Sequence, residues 1–428
     1  MYYHPLNDDI IYLATDGGVF RSLDGGENFE GCNGGYHTQQ FYANFSCSTT
    51  DSLFAIGGMQ DNATAVYEGN AGWRRVIGGD GLSTAIHPID DQIVYGSSQY
   101  LNIEVSYDKA INFSGLNVPN TGTTNFAGPF VLCPSNPDKL YGGSDIVYRS
   151  DDGGQVWNPT NGNVVLDGNA VLALEVSDTD ENLVYAATAP VVVPQVGLFK
   201  TINGGQSWTN VTTGIPNRYI MDVAINPDVN NTVFVAVSGF GTPHVYRSIN
   251  GGATWFAYGN GLPDIPVNTI TFDPLNTAIM YLGNDIGVYT SIDGGLNWQP
   301  FNDGLIDGTF VMDISISPLN RKLRLATHGK GVYERDMLPI TITALQNSLV
   351  DIEFTIGPNP TIDNLTVNLN TMPENGFLAI TDVKGKIVRK IIPKKLQFTI
   401  SMEDLSSGIY FIVVNAGGKS EARKIVKL

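Results

Sequence analysis

The chain has 428 residues, with 24 Lys and Arg against 42 Asp and Glu, a formal charge of −18, and only 3 cysteines. The imbalance is concentrated: residues 1–350 carry 14 basic and 34 acidic side chains, and residues 351–428 carry 10 and 8. A large acidic domain excludes nucleic acid, whose phosphate backbone needs a basic footprint. Three cysteines are too few for a disulfide scaffold, and no run of about 18 apolar residues offers a membrane-spanning helix.

With 48 glycines, 22 prolines and no long segment of helical period, the composition predicts an all-β protein. The opening stretch, MYYHPLNDDIIYLATDGG, lacks the basic and apolar regions of a signal peptide. It reads as a repeat unit lacking most of its first strand, which gives the expectation of a piece of a longer protein. At most one cysteine pair can form, for which Cys32 and Cys47 are the candidates.

From Ser22 onward a short pattern recurs: SLDGGENF at Ser22, SYDKAINF at Ser106, SDDGGQVW at Ser150, TINGGQSW at Thr201, SINGGATW at Ser248 and SIDGGLNW at Ser291. The one double-length step, between Ser22 and Ser106, holds AVYEGNAGW, which keeps the closing aromatic without the rest. All 5 tryptophans of the chain close such units. A period in the forties built of short strands is the mark of a propeller or solenoid. Residues 219–263 show the unit: YIMDVAINP, NTVFVAVSG, PHVYRSI and ATWFAYG are four strands, A to D from the axis outward. Eight units can be counted, the last stopping after its C strand, so a ring of seven or eight blades is predicted over residues 1–338. The recurring pattern falls at the C–D turn, where Asp or Asn followed by glycine suits a tight turn. Six copies around a circumference point to structure and not to catalysis.

These turns resemble the Asp-box, or BNR repeat, of sialidases, xyloglucanase-type glycoside hydrolases and sortilin receptors. The resemblance implies a propeller and leaves the function open. Strand order then places the boxes on one face, and the B–C turns and D-to-A crossings on the other, which we call the top. Top-face loops gather Asp16, Asp61, Asp80, Asp145 and Asp285 with Tyr36, Tyr100 and Phe240. Carboxylates beside aromatic platforms suit a saccharide; the same Asp and Asn residues also serve simply to stabilise glycine-rich turns. GGMQDNAT (Gln60, Asp61, Asn62) and GGDG (Asp80) are the least repeat-like loops and the leading candidates. The expected ligand-binding set is Asp61, Gln60, Asn62, Tyr36, Tyr100, Asp145 and Asp285, with a polysaccharide or protein as ligand.

A glycoside hydrolase is the alternative reading, with Asp16 and Asp80 as its two carboxylates. A sialidase would need an arginine cluster, but only Arg218 belongs to the top face. The 5 histidines have no metal-ligand spacing and no G-x-S-x-G occurs, so neither metal nor cofactor is expected.

The repeat ends near residue 338. After a linker over 339–350, residues 351–428 give short alternating strands and predict a small β-sandwich. The segment resembles the type A sorting domain of the type IX secretion system in Pro358–Pro360, Leu365, Val367, Asp382–Lys386, Leu405–Tyr410 and the terminal Lys-Ile-Val-Lys-Leu. That resemblance implies the type IX secretion machinery as a partner, with export across the outer membrane followed by release or surface attachment.

Overall fold

The computed structural model describes residues 1–428 apart from 16–17, 33–37, 43, 120–121, 341–353, 371, 373–376, 383–384 and 417–418. The chain divides into two compact units, Met1–Leu338 and Pro339–Leu428.

In the first unit, eight antiparallel sheets follow one another along the chain. Seven of them form a ring, because their inner strands pack each against the next and the last returns to the first. We number these blades 1 to 7: residues 46–77, 84–115, 130–159, 171–210, 220–258, 267–300 and 311–336. Among the described residues, blades 1 to 6 have four strands and blade 7 has three, Val311–Ser317, Lys322–Thr327 and Val332–Asp336. The eighth sheet, the first in the chain, pairs Tyr2–His4, Asn7–Thr15, Gly18–Ser22 and Glu30–Gly31 in order. It contributes nothing to the buried clusters that bind the ring together, and Tyr2, Tyr3, Leu6, Val19 and Phe29 are exposed. The eight units counted in the sequence are therefore seven blades and one sheet outside the ring.

All six box turns adopt one geometry. The Ser or Thr hydroxyl accepts the N–H four residues on at 2.8–3.0 Å, and the Asp or Asn oxygen accepts the N–H four residues beyond itself at 2.8–3.1 Å. These bonds hold Asp24 and Asp108 down at about 2. In SYDKAINF the two glycines are replaced, yet Lys109 and Ala110 keep φ of 58° and 61°. The hydrogen bonds thus impose the left-handed conformation on residues that disfavour it. The closing tryptophan then enters the gap toward the preceding blade. Trp208 Nε1 donates to Thr160 Oγ1 at 3.0 Å, and Trp255 Nε1 donates to the Val211 carbonyl at 2.7 Å.

The innermost strands of four blades share one feature. Blades 4 to 7 bulge near the start of this strand, and the bulge turns Asp222 and Asp313, on equivalent positions of blades 5 and 7, into the axial channel. Asp222 accepts the Ile270 N–H of blade 6 at 2.8 Å. Asp313 accepts the Phe45 N–H of blade 1 at 2.5 Å, closing the ring, and Thr269 Oγ1 donates to it at 3.2 Å. Burial raises Asp222 to about 7 and Asp313 to about 6, and raises Glu175 in the same channel.

The second unit is a sandwich of two sheets, Phe354–Gly357 with Asn364–Leu369 and Gln397–Ser401, and Ile387–Ile391 with Phe377–Asp382, Gly408–Ala416 and Lys419–Lys427. Its core gathers Phe354, Leu365, Val367, Ile380, Ile412 and Val414. The predicted linker lies, from residue 341 on, outside the described residues. The three thiols are free: Cys32 is exposed, Cys133 is buried, and Cys47 accepts from Arg324 Nη1 at 3.6 Å, so the suggested Cys32–Cys47 pair is not formed.

Two outcomes follow. Replacing Trp255 by Ala should cost the first unit about 3–5 kcal/mol in denaturant unfolding of the full chain. A carboxyl whose folded value is raised contributes stability that is complete below its unfolded value near 3.8 and lost as pH rises toward the folded value. The thermal midpoint should therefore fall between about pH 4 and pH 7, and Asp222→Asn should flatten that slope; an unchanged slope would remove the channel carboxyls from the explanation.

Candidate functional site on the top face

The two irregular loops are irregular because they lock together. A Cβ on Gly58 would lie 2.2 Å from the Gly81 backbone, so only glycine lets the 78–82 crossing lie on blade 1. The Gly81 N–H donates to the Met59 carbonyl at 3.0 Å. This contact sets Asp80 at the junction: its Oδ1 accepts the Asp61 N–H at 2.6 Å and its Oδ2 accepts Gln99 Nε2 at 2.8 Å. Asp80 thereby ties the B–C turn of blade 1 to that of blade 2, with both oxygens engaged.

Beside this pair runs a line of aromatic rings. Tyr100 lies edge-on to Phe126 at 5.6 Å, Phe126 is 6.3 Å from Tyr42, Tyr42 is 6.3 Å from the His328 ring, and His328 is 5.6 Å from Phe310. The line crosses from blade 2 to the seam between blades 7 and 1. Tyr42 is raised above the ordinary phenol value, first by burial and then by the charges of Asp80 and Asp61, so the carboxylates and the rings share one neighbourhood. Tyr100 is 52% exposed and Phe126 41%. Tyr100 and Leu101 both have positive φ, 61° and 67°. Two consecutive bulky residues in that region cost about 1–3 kcal/mol each, a strain that concentrates at functional surfaces. Here it lifts Tyr100 onto the face while Leu101 stays buried, and the Tyr100 N–H is fixed by the Phe126 carbonyl at 2.9 Å.

The structure brings Asp61, Asp80 and Tyr100 together, with Gln60 and Asn62 flanking Asp61 in the same turn, and places Asp145 and Asp285 on other blades. Asn62 lines the groove between blades 7 and 1, and the Gln60 N–H bonds the Gln40 carbonyl. Asp145, on blade 3, accepts from Ser144 Oγ, and its Oδ1 comes so close to Gly122 that a Cβ there would lie 1.9 Å away. Asp285, on blade 6, accepts from Asn268 Nδ2 at 2.9 Å. Asp145 is thus held within its own turn and Asp285 against the inner strand of its blade. Asp16 and Tyr36 lie outside the described residues; the strands flanking Asp16 belong to the first sheet.

Reading from sequence missed Tyr42, Phe126, Phe310 and His328 as one group. Each sits in a crossing or a B–C turn, and their adjacency depends on ring closure joining the two ends of the chain's repeats.

Comparison with known proteins bears on fold and on export. Residues 355–428 match the secretion system C-terminal sorting domain. This tail marks the chain for type IX export, to the cell surface or into the medium. No curated protein sequence matches. The chain is similar in structure to YCF48 from Cyanidioschyzon merolae (TM-score 0.55, 11% identity, 70% of this chain and 96% of that one). It is similar to a GH74 enzyme of Niastella koreensis (0.55, 15%, 92% and 74%) and to PorZ, a surface component of the type IX secretion system of Porphyromonas gingivalis (0.56, 14%, 98% and 64%). Identities this low show the shared fold alone.

Replacing Asp80 by Ala should leave the exposed Asp61 N–H to water and cost about 0.5–1.5 kcal/mol. Hydrogen exchange at Asp61 and Asn62 should then quicken while the box turns keep their protection.

Proposed function

We propose that this exported propeller is a binding module whose top face holds an extended glycan along the Tyr100–Phe126–Tyr42 line. The observation that carries this reading is the juxtaposition of the exposed Tyr100 and Phe126 rings and the half-buried Tyr42 with Asp61 and Asp80. Sugar ring faces stack on aromatic rings, and hydroxyls donate to carboxylates and loop carbonyls. The six box turns belong to the structural repeat resembling the Asp-box, and they leave the opposite face free to vary.

A hydrolase needs two carboxyl groups with opposed proton affinities, one acid and one base. Asp80 spends both oxygens on loop hydrogen bonds, which favours binding over proton transfer. The likeness to GH74 enzymes keeps two-carboxylate hydrolysis, with Asp16 and Asp80, as the second reading. A top-face protein ligand is the third possibility, in line with the similar YCF48 structure described as bound to D1 peptide (TM-score 0.53, 13% identity, 79% of this chain and 97% of that one).

The test is a glycan array with reducing-end release assays on the full chain. Retention without release is expected, with Tyr100→Ala and Phe126→Ala each weakening binding about tenfold, or 1.4 kcal/mol. Release abolished by Asp80→Asn would establish the hydrolase instead, and glycan binding indifferent to both aromatic changes would place the ligand elsewhere.

A further inference from the structure

Blade 7 has three strands among the described residues, so Val332–Asp336 presents an unpaired edge. Beside that edge is a groove of about 640 Å³ floored by Phe41, Phe45, Tyr67 and Trp73 of the blade 1 side. The other blades show what such a gap accommodates. In blades 3 and 4 an outer strand runs antiparallel to the third, and the residue at or just after its end accepts the indole N–H of the following blade's tryptophan, as Thr160 does for Trp208 and Val211 for Trp255. Trp73 occupies the equivalent place in blade 1, facing blade 7, and no such bond is made to it among the described residues.

The groove also differs in charge from the acidic unit around it. Arg75 and Lys330 stand at its lining with no carboxylate in ion-pair distance among the described residues, and Glu334 is already matched by Arg324 at 2.8 Å. Lys330 Nζ donates only to Asp307 and Gly308 carbonyls and Thr309 Oγ1.

We propose that this groove takes an extended, acidic peptide segment of another protein as the fourth strand of blade 7. Main-chain hydrogen bonds to Val332–Asp336 supply affinity, an apolar side chain fills the aromatic floor, and Arg75 and Lys330, which have no carboxylate partner among the described residues, select carboxylates. The site is separate from the top-face line, so the glycan reading and this one fail independently.

The probes are three labelled, end-blocked peptides: a copy of the blade 4 outer segment, Gln-Ser-Trp-Thr-Asn-Val-Thr, a version with Glu and Asp in place of its Gln and Asn, and one with Lys at both positions. Fluorescence anisotropy with the full chain should rank acidic above neutral above basic, with at least a threefold step between successive peptides. Val332–Asp336 amides should gain exchange protection when the acidic peptide binds. Arg75→Glu should reverse the ranking. Ala71→Trp, at an exposed wall position, should abolish binding with the thermal midpoint unchanged. No saturable binding up to about 1 mM, or equal binding by Ala71→Trp, overturns the proposal. So does concentration-dependent dimerisation that Ala71→Trp removes, since the occupant would then be a second copy.

Discussion

A ring of sheets is stable only if its two ends meet, and here they meet through a half-buried carboxylate. Blades 7 and 1 share no strand among the described residues. Their junction is carried by the innermost strands: Asp313 accepts the Phe45 N–H at 2.5 Å and Ser315 Oγ accepts the Cys47 N–H at 3.0 Å. Arg324 adds a bridge to the Ser52 carbonyl at 2.6 Å, and the Phe41 N–H reaches the Thr327 carbonyl at 2.9 Å. Burying a carboxylate is costly unless hydrogen bonds replace its water, and main-chain N–H groups do so for Asp313. Asp222 repeats the device between blades 5 and 6, which identifies it as part of the repeat's own closure chemistry.

Closing at the axis has two consequences farther out. On top it brings loops from opposite ends of the repeat region together, so that Tyr42 from the entry to blade 1 meets His328 of blade 7 and Phe126 of the crossing to blade 3. At the rim, where the outer strands of blades 3 and 4 lead to an acceptor for the next blade's tryptophan, the junction of blades 7 and 1 has neither such a strand nor such a bond among the described residues, and the Trp73 floor is accessible as a groove. One choice of closure thus produces both surfaces, and the sorting domain delivers them outside the cell.

Much of the architecture is legible from residue spacing. The six box turns are found by a Ser or Thr two residues before an Asp or Asn together with an aromatic five residues later, because those two side chains accept the turn's N–H groups; even SYDKAINF obeys without its glycines. Blade number was open because counting units cannot tell a blade from a sheet outside the ring, and that depends on inner-strand packing. Asp222 and Asp313 carried a signal, the repeated Met-Asp within apolar inner strands, but alternation alone gave no reason to turn them into the axis; the bulge does that. Among the site residues, Asp80 and Asp61 were found through loops that broke the repeat. Tyr42 and His328 were not, because nearly 290 residues separate them and only closure makes them neighbours.

The closure itself is the point most directly open to measurement. The Cys47 thiol lies beside the Ser315 hydroxyl across the seam, so Ser315→Cys in the full chain places two thiols at bonding range. Under mild oxidation a single intramolecular crosslink between positions 47 and 315 should form, seen by peptide mapping and as a higher unfolding temperature. Failure of that crosslink, with the chain folded and both thiols titratable, would mean that blades 7 and 1 do not adjoin and that the ring is built otherwise.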